Sequence, residues 1–140
     1  MLTKTLVLIG LLISTPALAE SEVVYQTICM EASNQDAFGQ MLVAKVIQNR
    51  SRAKGISPEA VCLAKYQFSA WNDKKWAKSW LLRHYTTQAR AKAVQAWNDA
   101  LRADKWHKLT HYCTVDTKPY WAVSHKGFRA GSHIFYENIK

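Results

Sequence analysis

Glu31 stands between Ile28, Met30 and Ala32, a carboxyl group in a run of apolar neighbours. An ionised carboxylate held there loses hydration, which raises its pKa above the ordinary range and leaves part of it protonated at neutral pH. That is what a general acid requires. The same residue at a helix end and turned to water would have no chemistry, and spacing alone does not separate the two. His111 and His133 are further candidates, as cleft-wall donors or as zinc ligands. They lack both the short spacing of a zinc motif and a defined third ligand. Cys113 follows His111 closely, yet adjacency in sequence does not bring a nucleophile and its base together in space, so a thiol hydrolase has no support.

The elements that must position these groups can be read from periodicity and caps. Val23, Val24, Thr27, Ile28 and Ala32 form the inner stripe of a first helix with Glu31 in its last turn. Ser33-Asn34-Gln35-Asp36 has capping-box spacing and predicts a second helix over about 35–50, with Phe38, Met41, Leu42 and Val46 inside and Gly55 ending the region. Ser57-Pro58-Glu59 predicts an N-cap and a short helix through Cys62, and 67–73 reads as loop. A third long helix runs over 87–103, burying Ala89, Ala93, Ala96, Trp97, Ala100 and Leu101 and leaving Arg90, Lys92 and Arg102 in water. The runs 120–123 and 133–136, separated by Gly127 and Gly131, predict a β-hairpin. Helices first and a small antiparallel sheet last make the expected fold α+β.

Composition bounds the partners. The chain has 140 residues, 49% hydrophobic, enough for one domain and too apolar for disorder. Lys4, the run Leu6 to Ile13, Pro16 and Ala17-Leu18-Ala19 read as a cleavable secretory leader over 1–19, too short to span a bilayer, followed by a single domain over 20–140. The expected location is therefore periplasmic or secreted, with no stable membrane insertion after cleavage. A formal charge of +9 attracts polyanions, and six Trp with six Tyr permit stacking on sugars. Export argues against nucleic acid and for an acidic wall polymer. Three cysteines in an oxidising compartment favour pairing two, without fixing which among Cys29, Cys62 and Cys113.

Several blocks carry a resemblance. Cys29-Met30-Glu31-Ala32 with Gly39, Val43-Ala44 and Val46-Ile47-Gln48-Asn49-Arg50 is similar to the opening block of the SleB-like cell-wall hydrolases, relatives of spore cortex-lytic enzymes. Gln67-Phe68-Ser69-x-Trp71, Thr110-His111-Tyr112, Pro119-Tyr120-Trp121-Ala122 and Gly131-x-His133-x-Phe135-Tyr136 resemble the remaining blocks in the same order. The resemblance implies a small lysozyme-like domain whose catalytic acid maps onto Glu31. The chain departs from the family at Ser33-Asn34-Gln35, where many relatives have an Arg-Gly-Glu-like turn. It also has Tyr66 and Ala70 where many carry a cysteine, so the usual partner of Cys62 is missing.

The resemblance also implies a substrate, the glycan strands of peptidoglycan, with no cofactor. A retaining glycosidase needs a second carboxylate about 5–5.5 Å from the acid, and an inverting one needs a base about 6.5–9.5 Å away. Neither Asp36, within the capping-box spacing, nor Asp73 matches a family block. A lytic transglycosylase needs only one carboxyl group, which favours it. A muramidase-type hydrolase, a zinc amidase built on His111 and His133, and a non-catalytic wall-binding module, docked to an envelope partner protein, are the alternatives. Gln67, Ser69, Trp71, His111, Tyr112, Trp121 and His133 are the expected substrate contacts, while Trp76, Trp80 and Trp97 are expected to pack.

Overall fold

In the structure, a computed structural model that describes residues 17–140, helices precede a small antiparallel sheet. The leader expected over 1–19 lies outside the described residues except for its last three, which the first helix includes. The helices are α1 (Ala17–Ala32), α2 (Ala37–Lys54), α3 (Pro58–Leu63), α4 (Lys74–His84) and α5 (Thr87–Arg102), and the strands are β1 (Leu109–Thr114), β2 (Phe128–Ala130) and β3 (His133–Glu137). No described helix is long and apolar enough to cross a membrane.

Local signals set most helix ends. Asp36, rather than Ser33, is the N-cap of α2: its carboxylate accepts from the Gly39 amide at 2.8 Å, while the Ser33 amide closes α1 on the Cys29 carbonyl. The expected capping box is thus a simple Asp cap, because Ser33 is still bonded to the preceding helix. Gly55 adopts φ 63° and terminates α2 four residues beyond the expected end, a left-handed cap that glycine takes without a Cβ penalty. Ser57 caps α3 as expected, with Pro58 in the first turn. α4 was not read from the sequence; its N-cap is Asp73, which accepts from the Trp76 amide at 3.0 Å.

α2 is the central element. Leu42, Val43, Ala44, Val46 and Ile47 have no exposed surface, so the helix is buried around most of its circumference instead of along one stripe. Ala44 and Ile47 pack with α1, α3 and α5; Leu42, Val43 and Val46 pack with Leu109 and Phe135 of the sheet. Each large side chain fully buried there contributes about 1.5–3 kcal/mol. Phe38 is the exception to the expected face. It is 45% exposed and meets Trp106 edge-on at 6.1 Å. On α5 the small Ala93, Ala96 and Ala100 are buried against α2, and Leu101, expected inside, is 58% exposed.

The polar residues on α2 bind it to its neighbours. Lys45 Nζ donates to the Ala100 carbonyl at 2.9 Å and Gln48 Nε2 to the Trp97 carbonyl at 3.0 Å, occupying acceptors in the last turns of α5. Asn49 Nδ2 donates to the carbonyls of Trp106 and Leu109, and Arg50 Nε to the Thr110 carbonyl at 2.7 Å. These bonds fix the start of β1 against the centre of the domain.

The sheet order is β1-β3-β2, both pairs antiparallel, with Tyr112 opposite Phe135 and Ala130 opposite His133. The expected hairpin between 120–123 and 133–136 is corrected in its first arm. Residues Tyr120–Ala122 form a 3-10 turn whose backbone is satisfied locally, Ala122 amide to Pro119 carbonyl, and β3 pairs instead with β2 on one side and β1 on the other. Gly131, at φ 59°, makes the β2–β3 turn. A Cβ there would collide with Gln35 Oε1, which accepts from the Ser132 amide at 3.1 Å. The Ser33-Asn34-Gln35 turn therefore holds the sheet's far turn against the end of α1. All three cysteines are buried free thiols, so the expected disulfide is not formed. Burial pushes the Cys29 and Cys62 thiols up to about 11 and about 12.

Candidate active site

Glu31 arrives on the last turn of α1 and Tyr112 on the middle of β1, and they meet where α2 has drawn those two elements together. The Tyr112 hydroxyl donates to Glu31 Oε2 at 2.6 Å. Burial raises the pKa of Glu31 above the ordinary carboxylate range; the Tyr112 hydroxyl, the Ala70 amide and the Arg50 charge oppose it without cancelling it. Burial and the facing Glu31 push the Tyr112 phenol well above its usual range, so it remains a donor at any working pH.

These groups lie in an open cleft of about 880 Å³. Of the expected contacts, Gln67, Ser69, His111, Tyr112, Trp121 and His133 line it with Glu31. Trp71 is not with them. Its Nε1 donates to Thr27 Oγ1 at 2.8 Å and its ring packs into the helical core, on the other side of the 3-10 turn Ser69–Trp71. Tyr112 is in the cleft, but as the partner of the acid.

The cleft also holds residues that sequence reasoning missed or misassigned. Trp76, expected to pack, is 44% exposed and lines the cleft, as do Tyr66 at 74% and Tyr120 at 90% exposure. Three open aromatic faces around one concave surface suit sugar rings, whose flat faces stack on them. An Asp-capped amphipathic helix over 74–84 was the available signal for Trp76. Tyr66 has no local signal; it takes a left-handed φ of 62° in the turn after α3. Arg50 was read only as part of a block. It lines the cleft 5.4 Å over the Phe68 ring and approaches Gln67 Oε1 at 3.5 Å.

Of the other acids, Asp73 lines the cleft while capping α4, whereas Asp36 caps α2 away from it. His111 packs against Trp121 and His133 against Tyr112 with their rings tilted by 59° and 57°, and each ring keeps a buried Nδ1 without a hydrogen-bond partner in the protein. Burial, Arg50 and Lys54 push the His111 pKa down to about 4, and burial lowers that of His133, so both rings are neutral. Among the described residues no group of three His, Cys, Asp or Glu side chains converges to hold a metal ion.

The model of the cell wall hydrolase family matches residues 34–136, most of the chain. The chain belongs to that family. The fold of this cell wall hydrolase is similar to the catalytic domain of the Bacillus cereus SleB protein, with a TM-score of 0.64 and 20% identity over 86% of this chain and 91% of that one. No curated protein matches it. The α+β order of helices and a short C-terminal antiparallel sheet is as the sequence led one to expect, as is membership of the SleB-like family. Glu31 lies just ahead of the span the family model matches, so its assignment rests on the cleft geometry of this hydrolase.

Proposed function

We propose that this cell wall hydrolase is an exported enzyme that cuts peptidoglycan glycan strands between N-acetylmuramic acid and N-acetylglucosamine, with Glu31 as the catalytic acid and then base. The observation that carries the reading is the buried Glu31 carboxyl, pKa raised, held on Oε2 by Tyr112 at the floor of an aromatic-rimmed cleft. Protonated Glu31 gives its proton to the glycosidic oxygen as the bond from muramic acid C1 breaks. The carboxylate so formed takes the proton of that sugar's own 6-hydroxyl, whose oxygen bonds to C1 and closes a 1,6-anhydro ring. No water is consumed, and Glu31 ends protonated as it began. This is a lytic transglycosylase. Gln67, Ser69, His111, His133 and Arg50 face the sugars as hydrogen-bonding groups, and Trp76, Trp121, Tyr66 and Tyr120 offer stacking faces.

One observation supports a second reading. Asp73 lines the same cleft, and a carboxylate with water between it and the sugar would make the enzyme an inverting hydrolase. An amidase built on His111 and His133 has no third ligand among the described residues.

Digestion of purified peptidoglycan with mass analysis of the soluble fragments separates these readings. Anhydro ends are expected; reducing ends would replace transglycosylation by hydrolysis, and released peptides with intact glycan would replace both by an amidase. Glu31→Gln keeps the side chain's reach but cannot give a proton, so fragment release should fall about 10²–10⁴-fold while sedimentation with insoluble wall persists. Near-normal release by Glu31→Gln would end the assignment.

A further inference from the structure

Trp71, absent from the catalytic cleft, points to a second concavity. Behind the Ser69–Trp71 turn, α4 and the end of α3 enclose an open groove of about 620 Å³ whose walls include Leu63, Trp71, Leu81 and Leu82. Leu82 is 80% exposed and Leu63 49%, both large apolar side chains left in water on one face. Lys74 and Lys78 line the same groove, and together with Leu82 they stand a turn apart along α4. No acidic side chain lines it. The nearby Glu22 is committed to Arg90 at 3.0 Å and to the Tyr85 hydroxyl at 2.6 Å. α4 as a whole, Lys74-Lys75-Trp76-Ala77-Lys78-Ser79-Trp80-Leu81-Leu82-Arg83-His84, carries no carboxylate.

We infer that this face docks the protein on an anionic phospholipid surface, with Leu82 and Leu63 entering the interface and Lys74 and Lys78 meeting headgroup phosphates. A helix with basic residues beside protruding leucines lies in the plane of such an interface, where lysine stems run along apolar surface and the ammonium groups reach outward. Charge complementarity selects the occupant: exposed leucines alone would suit any apolar partner, whereas lysines lining the same groove with no acid among them favour phosphate. The arrangement also leaves the enzyme free to work. Ser69 and Ala70 face the catalytic cleft and Trp71 the groove, so a membrane on the groove side leaves the cleft open to the wall.

The test is sedimentation of the whole chain with vesicles of phosphatidylcholine alone or mixed with phosphatidylglycerol. Because every variant carries the same leader, differences between variants report α4. Partition is expected to favour the anionic vesicles and to weaken with added salt. Leu82→Glu should lower partition roughly ten-fold or more. Lys74→Ala and Lys78→Ala should each lower it about five-fold, on the anionic vesicles only. Leu82 is mostly in water, and an unchanged thermal melt for Leu82→Glu would show that the loss is one of docking. The inference is overturned if all three variants partition like the parent chain. Equal partition on neutral vesicles with no effect of the lysines, or binding of an acidic amphipathic peptide in place of vesicles, would overturn it too. Vesicle partition does not depend on Glu31, so this result stands apart from the glycan-cleavage reading.

Discussion

On the inner face of α2, Lys45 and Asn49 are 3% and 5% exposed, and each places its polar head on a backbone carbonyl of another element. On the cleft side of the sheet His133 is equally buried at 5%, yet its Nδ1 has no partner in the protein, and the same is true of His111 Nδ1. A buried polar atom without a hydrogen bond costs about 1–3 kcal/mol, so satisfied and unsatisfied groups at the same depth have different causes. The α2 residues tie carbonyls of the end of α5 and the start of β1 to the central helix. The two histidines line the cleft with Glu31 while their Nδ1 atoms are closed off and unpaired. The first region ties the elements together, and the second lines the cleft proposed to take the glycan.

The comparison can be broken most forcefully at Asn49. Asn49→Ala strands the Trp106 and Leu109 carbonyls at the entry to β1 and should destabilise the fold by about 2–3 kcal/mol. A urea titration would show the midpoint fall at unchanged slope. Retention of full stability would mean that water replaces the lost donor and that the seam is not what holds β1.

His111→Leu tests the opposite region. Replacing a group that has no partner with an apolar one of similar size should change stability by under about 1 kcal/mol, while retention on wall, measured with Glu31→Gln as background, weakens a few-fold to about ten-fold. Because the His111 pKa is pushed down to about 4, its charge does not change across neutral pH. A limb of the activity profile near pH 6–7 that vanished in His111→Leu would contradict this.

The smallest effect expected is at Tyr112. Its hydroxyl favours the Glu31 carboxylate, so Tyr112→Phe removes a pKa-lowering contact and the acid should hold its proton to higher pH. In the proposed mechanism the acid form is the reactive one, so activity should fall as pH rises through the Glu31 pKa; in Tyr112→Phe that limb should move upward, with a maximal rate reduced by about ten-fold or less. A limb that moved downward would show that Tyr112 acts on something other than the carboxylate.

Much of the helical part was legible because its signals are local. Gly55, Ser57-Pro58 and the alanines of α5 act through backbone conformation and close packing within a few residues, and the structure has them where the sequence suggested. Glu31 was singled out by the family resemblance, since its apolar neighbours in the chain suit an acid and a helix-end carboxylate equally; its burial is a property of the fold. Phe38 and Leu101 misled because periodicity gives the direction a side chain takes from its helix without saying what covers it.

Other features follow only from elements remote in sequence. The apolar run 120–123 could form a strand, but its backbone bonds close locally after Pro119 and β3 finds β1 and β2, a choice of partners that no run of residues specifies. Trp71 and Trp76 exchange their expected places for the same cause: a 3-10 turn and the capped start of α4 rotate the first into the helical core and the second into the cleft. The cysteines remain thiols although three were available. By itself the sequence determined α2, α3 and α5, and the α+β order. Only the tertiary structure decided that Tyr112 is the partner of Glu31, because a hydrogen bond between α1 and β1 exists only once Asn49 and Arg50 have held β1 against α2.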